Sequence, residues 1–254
     1  MMSDNGFLSN NIPFTSFGHS HAIAVFIFII LLGLFTLAAL RLNDRENLIV
    51  TRISSLFLCF TVVAWTAITL AFDRFNVDHS LPLSICNLFS LVAPLLFWTP
   101  NQRRFEIVYF FVLSGTLQAI ITPDPEGGFP SYGFFKYWIV HCGLVIVVIH
   151  HLIAFKLFPR AKGILVTFVW LNIYILCLIP INLFLDANYF YLLRKPITPT
   201  LLDFFGPWPN YIFVTEALAI VIFAVMYVPI LFVKKYYEKN DTIVSPTRGV
   251  VTNA

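Results

Sequence analysis

Residues 164–185 read ILVTFVWLNIYILCLIPINLFL, 22 positions without one charged side chain. A helix of about 20 apolar residues crosses ~30 Å of hydrocarbon, so this stretch alone is long enough to span a bilayer. Working outward from it, six further apolar runs occur, at roughly 22–40, 50–72, 81–98, 105–122, 134–158 and 209–233. The fold class expected is therefore all-α, a polytopic membrane helix bundle with seven transmembrane helices. The run 81–98 is short and carries two prolines. Pro82 suits a first helical turn, where its missing N–H costs nothing, whereas Pro94 should kink or end the helix.

Composition agrees. Over 254 residues, 59% are hydrophobic and only 11% charged, with a mean hydropathy of +0.83, which excludes an ordinary soluble domain. No polar stretch reaches ~50 residues, the lower end of domain size. The expected organisation is an extracytoplasmic N-terminal segment 1–21, a seven-helix domain 22–233 and a cytoplasmic tail 234–254. The net charge of +3 comes from basic residues scattered between the spans rather than gathered in a patch, so no nucleic-acid partner is expected.

Those basic residues set the orientation. Arg41, Arg45, Arg52, Arg103, Arg104, Lys156, Arg160, Lys162, Lys234, Lys235, Lys239 and Arg248 fall on one side, against Arg74, Lys136, Arg194 and Lys195 on the other. This bias of 12 to 4 predicts an N-terminus outside and a C-terminus in the cytoplasm of a multi-pass cell-membrane protein. The first 21 residues hold no Lys or Arg, against a cleaved signal peptide at the first span. Cys59, Cys86, Cys142 and Cys177 all lie in apolar runs, where free Cys behaves as a small hydrophobe, and imply no disulfide framework.

Polar residues inside membrane helices are costly and normally face a protein interior or a wet cavity. Cys86, Gln118, His141, Asn182 and Glu216 all fall near the same end of their runs, within roughly 11 Å of the outer hydrocarbon boundary at ~1.5 Å per residue. Ser114, Gln118 and Thr122 form one i, i+4, i+8 stripe, Asn182 and Asp186 another pair, and Tyr137 shares a face with His141. A shared outer pocket is expected. The turn-rich stretch Thr122 to Pro130 should fold as a compact loop over it. In the long connection after Asp186, Arg194 and Lys195 suit lipid phosphates at the headgroup level, and Tyr189, Tyr191 and Trp208 suit an aromatic belt.

A thiol and an imidazole at one depth also suit acyl chemistry. Cys86 is a nucleophile only as its thiolate, His141 is the base at hand, and a thioester is a known route of acyl transfer. Asp186, Glu216 and Asn182 are alternative groups to orient the ring. His19 and His21 precede the first span without the carboxylate or Cys that would complete a metal site, so no metal is expected. His150 and His151, at the other end of their span, suit hydrogen bonds between helices. No cofactor is expected, and the last run has no Lys for a retinal Schiff base.

Several runs carry a resemblance: Leu81-Pro82-Leu83-Ser84-Ile85-Cys86-Asn87, Thr122-Pro123-Asp124 with Phe129-Pro130, Tyr137-Trp138 ahead of His141, Asn188-Tyr189 with Arg194-Lys195-Pro196, and Gly206-Pro207-Trp208-Pro209. They look like the YwaF-type integral membrane family of bacteria, which is similar to a eukaryotic transmembrane acyltransferase that remodels ether phospholipids. The resemblance implies a catalytic Cys in the Leu-Pro-Leu-x-x-Cys run and a catalytic His in a later span, positions held here by Cys86 and His141. The expected function is then a membrane-embedded lipid acyltransferase or acyl hydrolase with membrane lipid as substrate, its acyl donor and acceptor left open. The alternatives are a small-solute carrier, disfavoured by the lack of internal repeats, and a non-catalytic membrane sensor.

Overall fold

The computed structural model describes residues 7, 8, 12–78, 80–196 and 201–241. Its helices in chain order are α1 (His19–Arg41), α2 (Asp44–Ala71), α3 (Ile85–Leu91), α4 (Ala93–Phe97), α5 (Gln102–Phe111), a π-helical turn (Val112–Thr116), α6 (Leu117–Ile121), α7 (Tyr132–Ala154), α8 (Ala161–Leu185) and α9 (Asn210–Asp241), with 3₁₀ turns at Tyr189–Tyr191 and Leu201–Phe205. No strand occurs among the described residues. Six rods are long and apolar enough to cross a membrane: α1, α2, the continuous Gln102–Ile121 rod, α7, α8 and the Asn210–Lys235 part of α9. The expected segment 1–21 lies partly, and the expected tail 234–254 largely, outside the described residues.

The run 81–98 is not a seventh rod of this kind. Pro94 stands at the second position of α4, where its ring would meet the carbonyl of a continuing helix, and Val92 between α3 and α4 leaves the helical region at φ −91° and ψ 3°. Pro82 is not in a helical first turn either. It lies in the tight turn closed by the Leu83 N–H to the Leu81 carbonyl (2.7 Å), and α3 starts only at Ile85. Two tyrosines draw the backbone out there: Tyr174 Oη donates to the Leu83 carbonyl, and Tyr189 Oη accepts from the Leu81 N–H at 3.0 Å. At the far end, Arg52 Nε donates to the Trp98 carbonyl (3.0 Å) and Arg104 Nη1 to that of Leu95 (2.7 Å). The broken segment thus stretches from the loop-rich end of the bundle to its basic end.

Helix α7 is the central column. Of its most apolar stretch 61% is buried, against 11% for α1, which leaves most of α1 turned outward. Helices α1 and α2 both lie along α7 and are joined by a tight turn. Asn43 caps α2 reciprocally: its side chain accepts from the Glu46 N–H while the Glu46 carboxylate accepts from the Asn43 N–H, both at 3.0 Å. Gly143 on α7 packs closely on α2, since a Cβ there would stand 2.7 Å from Leu58 Cδ2 and force that side chain to shift.

At the basic end, one ion pair ties the connection after α7 to α5. Glu106, with its side chain only 4% exposed, accepts from Arg160 Nε at 2.5 Å and Nη2 at 3.1 Å, and also from the side-chain amide of Gln102 at 3.0 Å. His150 meets Thr51 of α2 (Nδ1 to Oγ1, 3.2 Å), the interhelical contact expected for it, and His151 is enclosed by Phe97, Phe105 and Phe155.

Candidate functional site

At the loop-rich end the bundle opens into a cavity of about 640 Å³. The start of α9 contributes Tyr211, Thr215 and Glu216, α8 contributes Leu171 and Ile175, and α7 contributes Lys136, Tyr137 and His141. Ser84 at the start of α3 and Asn87 within it add to the wall, the loop before α7 adds Asp124 and Glu126, and the chain after α8 lays Asn188 to Leu192 across it.

The loop before α7 is held down as a compact cover. Its Gly128 N–H donates to the Ile12 carbonyl at 2.7 Å, and a Cβ on Gly128 would stand 2.4 Å from the Pro13 carbonyl, so only glycine admits the N-terminal strand of chain here. Tyr137 Oη donates to the Ala119 carbonyl (2.8 Å) and accepts from the Asp124 N–H (3.2 Å), pinning the loop to α6. His21 does not precede the first helix but is buried in the first turn of α1. Its Nδ1 accepts from the Phe17 N–H at 2.9 Å, so Nε2 carries the hydrogen and donates to the Ile120 carbonyl at 3.1 Å.

His141 is held by its own helix. Nδ1 stands 2.7 Å from the Tyr137 carbonyl, which can only accept, so Nδ1 carries the hydrogen and Nε2 is left as a free lone pair. The Tyr137 ring backs the imidazole, with ring centroids 4.1 Å apart. An imidazole fixed in this tautomer on the wall of a cavity is equipped to take a proton from a bound group.

Cys86 is the second residue of α3, between the cavity-lining Ser84 and Asn87, and its Sγ lies 3.4 Å from Thr116 Oγ1. Thr116 is fully buried and closes the π-helical turn. A π turn takes in more backbone than an α turn and so shifts the register of everything beyond it. This is why the expected polar stripe does not hold: Ser114 bonds back to the Phe110 carbonyl (2.6 Å), Gln118 and Thr122 face outward as exposed residues, and Thr116 takes the inward place. Gln118 is therefore not a wall of the cavity.

The remaining expected residues divide. Glu216 lines the cavity. Asn182 is buried but acts on backbone: its amide accepts from the Tyr189 N–H (2.8 Å) and donates to the Tyr189 carbonyl (2.9 Å), folding the chain after α8 back over the helix end. Asp186 is the exposed left-handed C-cap of α8, at φ 52°. Arg194 is exposed, with its backbone held by Asn188, while Lys195 Nζ sits 5.6 Å over the ring of Tyr211 at the cavity edge. Sequence reasoning missed Thr116, Lys136 and Glu126: Lys136 entered only the count of basic residues, Glu126 only the turn-rich loop, and Thr116 carried no signal. Among the described residues no group of three or more His, Cys, Asp or Glu side chains is arranged to hold a metal.

The six long apolar rods define a polytopic membrane protein. Residues 15–227 match the TMEM164 family, and the chain belongs to that family. Neither the curated proteins nor the solved structures contain a match.

Proposed function

We propose that this chain is a membrane-embedded lipid acyltransferase or acyl hydrolase that uses Cys86 as nucleophile and His141 as base. The observation that carries the reading is the tautomer lock on His141: with Nδ1 committed to the Tyr137 carbonyl, Nε2 is a proton acceptor on a cavity whose wall also includes Asn87, next to Cys86 in the chain, and Ser84, two residues before it. The resemblance of the Leu81 to Asn87 run to acyltransferases supports the same assignment. In the resting state the thiol contacts Thr116, and the reaction requires it to exchange that partner for His141, since catalytic hydrogen bonds commonly tighten only with substrate bound.

The chemistry balances without a cofactor. His141 Nε2 takes the thiol proton, Cys86 Sγ attacks a lipid ester carbonyl, and a C–S bond forms as the ester C–O bond breaks. The departing alkoxide takes the proton from His141. An acceptor hydroxyl, of a lysolipid or of water, then gives its proton to His141 and attacks the thioester, which returns the sulfur. Glu216 is proposed to orient the headgroup or the ring, and Arg194 with Lys195 to meet lipid phosphate at the rim.

The proposed topology counts the broken segment 81–98 as a crossing, giving seven passes in the cell membrane with the N-terminus outside and the C-terminus cytoplasmic. The basic bias and the end-to-end course of that segment support it. The cavity then opens toward outer-leaflet lipid.

The direct test is labelling of the purified protein with a lipid-like thiol-reactive probe, followed by mapping of the modified residue. Modification of Cys86 that is lost in His141→Gln is expected. Modification of Cys59, Cys142 or Cys177 alone would overturn the assignment.

A further inference from the structure

We propose that the cleft between α1 and α2 is a binding site for a membrane phospholipid, held by its acyl chains on the face of α7 turned away from the cavity. Beyond the tight turn that joins them, α1 and α2 pack on α7 rather than on each other. They leave a cleft of about 870 Å³ floored by α7. From α7 the cavity takes Tyr137 and His141, whereas the cleft takes Phe135, Ile139, Cys142 and Ile146, which lie on the opposite side of the helix. The site is therefore separate from the proposed reaction and does not depend on it.

The wall decides the chemistry of the occupant. Among the described residues no Asp, Glu, Lys or Arg lines the cleft, and its sides are aliphatic and aromatic, with Ile27 and Leu31 of α1 and Phe57 of α2. His19 and Ser20, in the first turn of α1, put polar groups at its loop-rich mouth, and below them only the Ser54 hydroxyl and the Cys142 thiol interrupt the hydrocarbon. A charge-free wall at membrane depth complements hydrocarbon and offers nothing to a polar solute.

Size then selects among apolar occupants. On α1 the lining runs from Ser20 to Phe35 and on α7 from Phe134 to Val147, about 20 Å at ~1.5 Å per residue. Spread over that length, the volume gives a mean cross-section of roughly 40 Å², whereas a helix with its side chains needs about 80 Å² or more. A transmembrane helix of a second copy or of another protein is too thick. An extended hydrocarbon chain, packed at carbon–carbon separations of about 4 Å, needs roughly 20 Å². The cleft thus takes the two chains of one phospholipid, with the headgroup at the His19 rim. Such a lipid fills the gap between α1 and α2 and holds α1, a rod with only 11% of its most apolar stretch buried, against the bundle.

The test is native mass spectrometry of the full-length protein, reconstituted in vesicles of phosphatidylglycerol and phosphatidylethanolamine and extracted again in mild detergent. One retained phospholipid is expected, recognised by its intact mass. Ile27→Trp and Ser54→Phe narrow the cleft from its two sides, and each is expected to lower the retained fraction on the order of tenfold. Leu176→Phe, on a side chain of α8 that is 68% exposed and away from the cleft, is expected to leave it unchanged. Wild-type protein that carries no phospholipid, that carries only detergent or free fatty acid, or that retains a second copy in place of lipid would overturn the proposal, as would narrowed variants that melt as the wild type and keep the wild-type lipid. A second measurement needs no variant: in the same vesicles, a phospholipid with a diazirine midway along one acyl chain should cross-link to Ile27 and Phe57 ahead of the more exposed Leu176 and Phe232. Cross-linking in proportion to exposure would overturn the site.

Discussion

Cys86 Sγ and Thr116 Oγ1 meet at 3.4 Å because the rod Gln102–Ile121 is not α-helical throughout. The π-helical turn Val112–Thr116 brings a fully buried hydroxyl to the thiol and turns Gln118 away. π turns inside α-helices are uncommon and frequently mark functional sites. Thr116→Val preserves shape and removes only the hydroxyl. If that hydroxyl donates to the thiolate, the variant should stay folded and lose about 1 kcal/mol of thiolate stabilisation, read as about a fivefold slower alkylation of Cys86. An unchanged rate would make the contact mere packing.

Asn182 and Tyr189 form the second fixed point of the site. Both amide atoms of Asn182 are committed to the backbone of Tyr189, whose hydroxyl in turn donates to the Val77 carbonyl (2.6 Å) and accepts from Leu81. One side chain thus fixes the cover and, through it, the entry to α3. Asn182→Ala leaves a buried N–H and a buried carbonyl without partners, a cost of about 2–4 kcal/mol. Hydrogen exchange should rise across Asn188 to Leu192 and across the turn before α3 together. Asn182→Asp, which keeps an acceptor for the N–H but faces a second oxygen, should fall between the two.

Far from the cavity, Glu106 and Arg160 give a prediction about stability alone. Arg160→Met leaves a nearly buried carboxylate with only Gln102 as side-chain partner, whereas Glu106→Gln keeps hydrogen-bonding atoms and removes the charge. Breaking a buried pair from one side is costly, and with Arg160 half exposed about 1–3 kcal/mol is expected. The melting temperature in detergent should fall for Arg160→Met by several degrees and by less for Glu106→Gln, with Cys86 labelling unchanged at low temperature. Equal melting of all three proteins would remove the pair from the stabilising contacts.

Topology is tested by a reporter fused after Ala254. It should be active only in the cytoplasm. An extracytoplasmic signal would mean that the broken segment 81–98 does not cross, since the six long rods alone return the chain to its starting side.

Much of the frame was legible because apolar length is a one-dimensional property. The six long rods and the interruption at Pro94 follow from counting residues and from a missing N–H, and the compact loop before α7 follows from its turn formers. The failures have a common cause: facing direction was extrapolated by ideal α periodicity. A π turn at Val112–Thr116 has no signature in residue type, so Thr116 was overlooked and Gln118 was placed inward. Pro82 was placed inside a helix because the hydroxyls of Tyr174 and Tyr189, which hold the turn before Ile85, are 91 or more residues away in sequence. Lys136 enters the sequence reading only as one of the four basic residues on the outer side, and Glu106 not at all; only the fold shows that Lys136 lies over Trp65 and that Glu106 is buried against Arg160.

The last prediction separates chemistry from packing at single atoms. Cys86→Ser nearly preserves volume but replaces a thiol by an alcohol, a far poorer nucleophile at neutral pH, while a packing or solute-binding role tolerates the change. His141→Gln keeps a polar side chain beside Tyr137 and removes the Nε2 base. If Cys86 forms a thioester with His141 as its base, each variant should remain folded and lose lipid acyl transfer or hydrolysis. The double variant should be little worse than either single one, because residues that act as a unit do not contribute additively. Full activity in folded Cys86→Ser would remove the nucleophile, and solute uptake that persists in both variants would favour a carrier using the same cavity.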